Sequence, residues 1–192
     1  YRQLELLPHL QELIAAFRAK GKDFAHVIKM GRTQLQDAVP MTLGQTFNGF
    51  ASILNDEIKH LEEAAADFLT VNMGATAIGT GICAEPGYAE KCVQAMCDIT
   101  GFEFKLSGDL VGATSDTSCM VGYSSALRRV AVKMNKICND LRLLACGPRC
   151  GIGEFNLPPM QPGSSIMPGK VNPVIPEVMS QVCYKVMGND LC

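Results

Sequence analysis

Tryptophan is absent from this sequence of 192 residues, and aromatic residues together make up only 6%. Packing therefore falls to Leu, Ile, Val, Met and Ala. The apolar fraction of 47% is enough to bury a core. An excess of charge of one sign is missing too. Seventeen basic against nineteen acidic residues leave a formal net charge of −2, so nothing draws the whole chain to nucleic acid or to an anionic membrane. No apolar run approaches the ~20 residues of a membrane span, and no signal peptide is visible in these residues. Histidine is scarce: His9, His26 and His60 all fall on helix-like stretches. Cys146 and Cys150 have the spacing of half a zinc site, but no second pair or histidine lies near, so no metal site is expected.

Cysteine is plentiful by contrast. The count of nine is odd, and Cys92, Cys97, Cys119, Cys138, Cys146 and Cys183 lie inside helical patterns. Reduced thiols in a cytoplasmic protein are the expectation. The sequence opens on Tyr1 rather than Met and closes inside a helical pattern, which reads as an internal piece of a longer chain.

Residues 2–28 place Leu4, Leu7, Leu10, Ile14, Phe17 and Phe24 near helical period. The stretch 31–40 breaks that pattern and reads as a short polar loop bounded by Gly31 and Pro40. Thr42, with Gln45 three residues on, predicts a capping box for a helix reaching about Leu69. Phe47, Phe50, Leu54, Ile58, Leu61, Ala65 and Phe68 form its apolar face. Residues 72–85 form a small-residue loop. Its glycines lack the preceding strand and the spacing of a phosphate loop. A helix over 87–100 stops at Gly101, and 102–113 reads as irregular. Leu127, Val130, Met134, Ile137, Leu141 and Leu144 recur at threes and fours in a heptad-like seam. Arg128, Arg129, Lys133, Lys136 and Arg142 mostly lie off it, as solvated or inter-helix charge. Gly147-Pro148 ends that helix, and another starts at about 176. No stretch argues strongly for a sheet. The predicted fold is all-α, a bundle of long helices, and long helices with narrow seams point to burial against other subunits.

One stretch stands apart: Gly163-Ser164-Ser165-Ile166-Met167-Pro168-Gly169-Lys170-Val171-Asn172-Pro173. Its glycines and prolines prevent regular structure. Between them sit two hydroxyls, one ammonium, one carboxamide and free backbone N–H groups, a set suited to a carboxylate. Such a loop is often only a connection, although long ordered loops between helices are often functional.

The run Gly-Ser-Ser-x-Met-Pro-x-Lys-x-Asn over 163–172 resembles the signature of the fumarase/aspartase superfamily. Gly31-Arg32-Thr33-Gln34-Leu35-Gln36-Asp37-Ala38 resembles the second of that superfamily's three signature regions. Gly74–Gly81 and Lys136–Leu144 match as well, so the likeness covers essentially the whole chain. It implies the long-helix fold of that superfamily, with residues 1–192 as its central helical domain, lacking the region of the first signature and the C-terminal domain. It implies a homotetramer whose composite active sites draw on three subunits, and hence no useful activity for this segment alone.

The implied chemistry is reversible loss of ammonia from L-aspartate to give fumarate, through a doubly charged aci-carboxylate and with no cofactor. Divalent-cation activation, found in some members, is left open. Carried over by motif, Ser164 matches the catalytic base. Lys170 and Asn172 match residues binding a substrate carboxylate, and Thr33 and Gln34 match binding positions of the second region. Glu177 matches the acidic partner of the residue at position 34. Ser165 is a supporting residue or only part of the loop. Asp37 is open as a turn or cap residue, and Arg32 as a brace made through an ion pair. Fumarases of the superfamily typically carry His at position 34, a residue that exchanges protons near neutral pH. Gln34 only holds a ligand by hydrogen bonds, which implies the ammonia-lyase branch. A fumarase is the alternative, and a non-catalytic helical protein of the same fold, as in lens crystallins, is the third.

Overall fold

The computed structural model describes residues 2–192; Tyr1 and the side chains of residues 2–4, Leu4 among them, lie outside the described residues. The chain divides into two compact units, Tyr1–Ile58 with Leu127–Cys192, and Lys59–Ala126.

In the first unit, α1 spans Arg2–Asp23 and buries Leu10 and Ile14. It stops five residues short of the predicted end. Two strands follow, β1 (Ile28–Thr33) and β2 (Gln36–Thr42), paired as an antiparallel hairpin. The expectations of a loop over 31–40 and of a chain without sheet are therefore corrected. Gly31 and Pro40 argue locally against strands, but here they share an irregularity. The register shifts between Met30 and Arg32, around Gly31, where an added Cβ would lie 2.8 Å from the Val39 carbonyl oxygen.

Helix α2 (Leu43–Ala66) opens with the predicted capping box. The Thr42 N–H donates to Gln45 Oε1 at 2.9 Å, and the Gln45 N–H donates to Thr42 Oγ1 at 3.1 Å. Thr42→Ala is expected to remove about 1 kcal/mol of stability, read from the urea midpoint at unchanged slope. An unchanged midpoint would mean that helix packing alone sets this end.

Phe17, Phe24, Phe47, Phe50 and Phe155 cluster with ring centroids 5.6 to 6.3 Å apart, so five of the chain's eight phenylalanines are concentrated in one core. Helix α5 (Ser118–Leu144) ends in this unit and buries Met134, Ile137, Cys138 and Leu144. Helix α6 (Val174–Asn189) starts two residues before the predicted position and buries Cys183. Burial pushes the Cys138 thiol up to about 11, with Cys183 adding to the shift, and burial raises Cys183 as well. Both are poor nucleophiles at neutral pH, because the thiolate is the reactive form.

The second unit carries a one-turn 3-10 helix over Asp67–Leu69 and a two-stranded parallel pair, β3 (Thr70–Val71) with β4 (Lys105–Leu106). Helix α3 (Tyr88–Thr100) ends at Gly101 as predicted, with φ of 73°. The stretch read as irregular, 102–113, contains the start of α4 (Leu110–Ser115). Asp109 caps it, accepting from the N–H groups of Val111 and Gly112 at 2.9 and 3.3 Å. The helix is too short to show a period, so spacing could not reveal it.

Candidate active site

The 163–172 loop is irregular, as its breakers require, and folds back on itself. A Cβ at Gly163 would lie 2.2 Å from the Lys170 carbonyl oxygen, so only glycine fits there. The Lys170 N–H donates to the Met167 carbonyl at 3.2 Å, and Gly169 takes φ of 81°. Ser164 is half-buried inside this turn. Its Oγ accepts from the Ile166 N–H at 3.2 Å and the Met167 N–H at 3.3 Å. Two fixed donors therefore converge on the oxygen that would carry negative charge in a serine base. Fixed dipoles of this kind need no reorganisation when charge develops. Ser165 is exposed.

Lys170 and Asn172 line a cleft of about 770 Å³ together with Arg142, Cys146 and Asn156. Two cations and two carboxamides on one cleft suit a small carboxylate. Thr33 and Gln34 are placed elsewhere in the same unit, exposed at the tip of the β1–β2 hairpin. Gln34 lines a separate cleft of about 360 Å³ with Arg32, Thr46, Lys136 and Asp140. Among the described residues no hydrogen bond or ion pair joins the hairpin tip to the 163–172 loop, or Gln34 to Glu177. Glu177 is exposed in the first turn of α6.

Arg32 does act as a brace. Its guanidinium pairs with Glu154, which also takes Lys29 Nζ at 2.9 Å, and Asp37 lies farther off at 3.8 Å. The Lys29 contact is an ion pair rather than an aligned hydrogen bond. Burial works to raise the Glu154 carboxyl, but Arg32 and Lys29 overcome it and hold it below the usual carboxylate range. The hydrogen bond to Glu154 in turn raises Arg32.

Sequence reasoning missed Glu154, and it missed Glu57, which is 0% exposed on α2. Arg129 grips both oxygens of Glu57 at 2.9 and 3.0 Å. Lys133 pairs with the same carboxylate and donates to the Ile53 carbonyl at 2.8 Å. The signal was present: Glu57 follows Leu54 by three and precedes Leu61 by four, and so falls on the apolar face. Glu154 follows Gly151-Ile152-Gly153 and carries no periodic signal at all. Among the described residues no group of three or more His, Cys, Asp or Glu is placed to hold a metal ion, and no helix is long and apolar enough to cross a membrane.

The long helices, with the 163–172 loop leading into α6, fit the helical fold that the signature resemblance implies. The chain belongs to the family described as Lyase, which matches residues 1–188. The aspartate ammonia-lyase of Pseudomonas aeruginosa is 60% identical over 187 residues, covering 97% of this chain and 40% of that protein. The crystal structure of a fumarate lyase:delta crystallin from Brucella melitensis bound to cobalt superposes with a TM-score of 0.94 at 59% identity, over 99% of this chain and 41% of that one. A class II fumarase from Schistosoma mansoni superposes at 0.88 with 34% identity, over 96% of this chain and 42% of that one. The chain thus spans about 40% of the length of curated relatives it matches.

Proposed function

We propose that the full-length protein is an aspartate ammonia-lyase, reversibly converting L-aspartate to fumarate and ammonia. The observation that carries this reading is the convergence of the Ile166 and Met167 N–H groups on Ser164 Oγ. A serine hydroxyl is a weak base unless its oxyanion is stabilised, and the cradle supplies that stabilisation. The Ser164 oxyanion takes the proton from the carbon beside the β-carboxylate and becomes the neutral hydroxyl. The electron pair moves onto that carboxylate, where Lys170 and Asn172 hold the charge, and then closes the double bond as the C–N bond breaks. No net oxidation occurs, so the chemistry asks for no redox cofactor. Thr33 and Gln34 bind the substrate and Glu177 supports the site, whereas Ser165, exposed outside the cradle, is only part of the loop.

The greater identity to the Pseudomonas ammonia-lyase, 60% against 34% for the Schistosoma fumarase, supports the ammonia-lyase branch, as does Gln34. In our reading the residues form the central helical domain of a homotetramer in which different subunits complete each site. The separation of Gln34 from Lys170 and Asn172 into two clefts supports this. So do the exposed apolar residues Ile175, Val178 and Val182 on α6. The free state of all nine cysteines supports a cytoplasmic setting, and residues 1–192 alone are expected to be inactive.

L-Aspartate and L-malate offered in parallel to the full-length protein test the assignment, with fumarate followed by ultraviolet absorbance. Product from aspartate alone is expected. Product from malate alone would make the protein a hydratase, and product from neither would leave a helical protein that has lost catalysis.

A further inference from the structure

The β1–β2 hairpin turns at Gln34 and Leu35, with φ of 50° and 63°. Both central residues are left-handed, a conformation that hairpins normally give to Asn-Gly or Gly-Gly because a side chain resists it. Leu35 is 66% exposed, so packing does not hold it there. Pro40, paired with Met30, has no N–H to give to the ladder. The ladder closes the turn with the Thr33–Gln36 and Arg32–Asp37 pairs and is then interrupted by the register shift.

A second grip comes from outside the hairpin. Glu154 is fixed at the end of α5, where its N–H donates to the Leu144 carbonyl at 2.9 Å. The next residue, Phe155, packs on Phe47 at 6.3 Å between ring centroids. The Glu154 carboxylate then takes Lys29 and Arg32, one from each side of the irregularity at Gly31. In a regular strand positions three apart face opposite sides. The register shift sets two residues of β2, Ala38 and Val39, opposite Gly31 alone. Lys29 and Arg32 nevertheless meet the same carboxylate, and Arg32 lies two residues from Gln34.

We propose that Glu154 is a positioning residue for the substrate: through Lys29 and Arg32 it clamps the hairpin so that the strained tip presents Gln34. The inference rests on the reading of Gln34 as a substrate contact. It assigns the clamp to a carboxylate that itself touches no substrate.

The test uses the full-length assembled protein. Glu154→Gln is expected to raise KM for aspartate about tenfold while kcat stays within about twofold, because a displaced contact weakens binding more than chemistry. Amide exchange at 33–37 is expected to quicken about tenfold, with α2 unchanged, since only the hairpin is released. Leu35→Gly added to Glu154→Gln is expected to recover most of both changes, because glycine takes positive φ without strain. An unchanged KM, a KM change without faster exchange at the tip, or no recovery from Leu35→Gly would each overturn the proposal. If Glu154→Gln does not assemble, Arg32→Lys is read by the same criteria. The wild-type substrate test separates the two claims. If malate proves to be the substrate, its KM replaces that of aspartate. If neither reacts, the exchange rates and their recovery by Leu35→Gly still decide whether Glu154 clamps the tip.

Discussion

Ser164→Ala in the full-length protein is expected to lower fumarate formation from aspartate by about 10³-fold in kcat, the range of a lost general base, with KM little changed. The hydroxyl oxygen is the only atom removed, and it is the atom on which two backbone donors converge. Loss of a ground-state contact would appear in KM instead. Ser165→Ala is the matched control. That neighbour is exposed and lies outside the cradle, so it is expected to keep activity within a few-fold. Equal losses at both positions would mean that the loop had collapsed rather than that a base had gone. Activity within tenfold of wild type in Ser164→Ala would place the base elsewhere.

The largest expected effect on stability concerns Glu57. Breaking a buried ion pair from one side strands a charge, at a cost of about 3–5 kcal/mol. Arg129 is 51% exposed and Lys133 28%, whereas Glu57 is 0% exposed. Removing Glu57 leaves two cations that can turn to water. Removing the cations leaves a carboxylate that cannot. Arg129→Met with Lys133→Met is therefore expected to lose about 3–5 kcal/mol near pH 7, and adding Glu57→Gln to recover more than half of it.

The pH dependence gives a second reading with opposite signs. Burial pushes the Glu57 carboxyl up, but Arg129 and Lys133 outweigh it and leave it lowered. In the wild type this contribution is therefore complete above the ordinary carboxylate range and is lost as pH falls through the depressed value. In the double variant only burial remains. The carboxyl is raised, and stability is lost as pH rises through it. Denaturation midpoints from pH 4 to pH 8 check this. Parallel curves for the two proteins would show that Glu57 is neutral in both.

The helices were legible because their determinants are local. The Thr42–Gln45 box, the stop at Gly101 and the Leu127–Leu144 seam are patterns of spacing, and helical hydrogen bonds close within a few residues. The irregular course of the 163–172 loop was legible for a similar reason. Gly163, Gly169 and the two prolines exclude regular structure, and Ser164 finds its donors only two and three residues on. The hairpin was not legible. Gln34-Leu35 is a poor turn sequence and Gly31 and Pro40 are poor strand residues, so local preference pointed to a loop.

The sequence by itself determined the helical class, the lyase signature and the irregular course of the 163–172 loop, because each depends on residues a few positions apart. Tertiary structure alone decided the rest. It joined Glu154 to Arg32 across 122 positions and Glu57 to Arg129 across 72. It also set Gln34 and Lys170 on different clefts. A buried carboxylate is tolerated only where cations from elsewhere in the chain meet it, and no local spacing reveals which ones will.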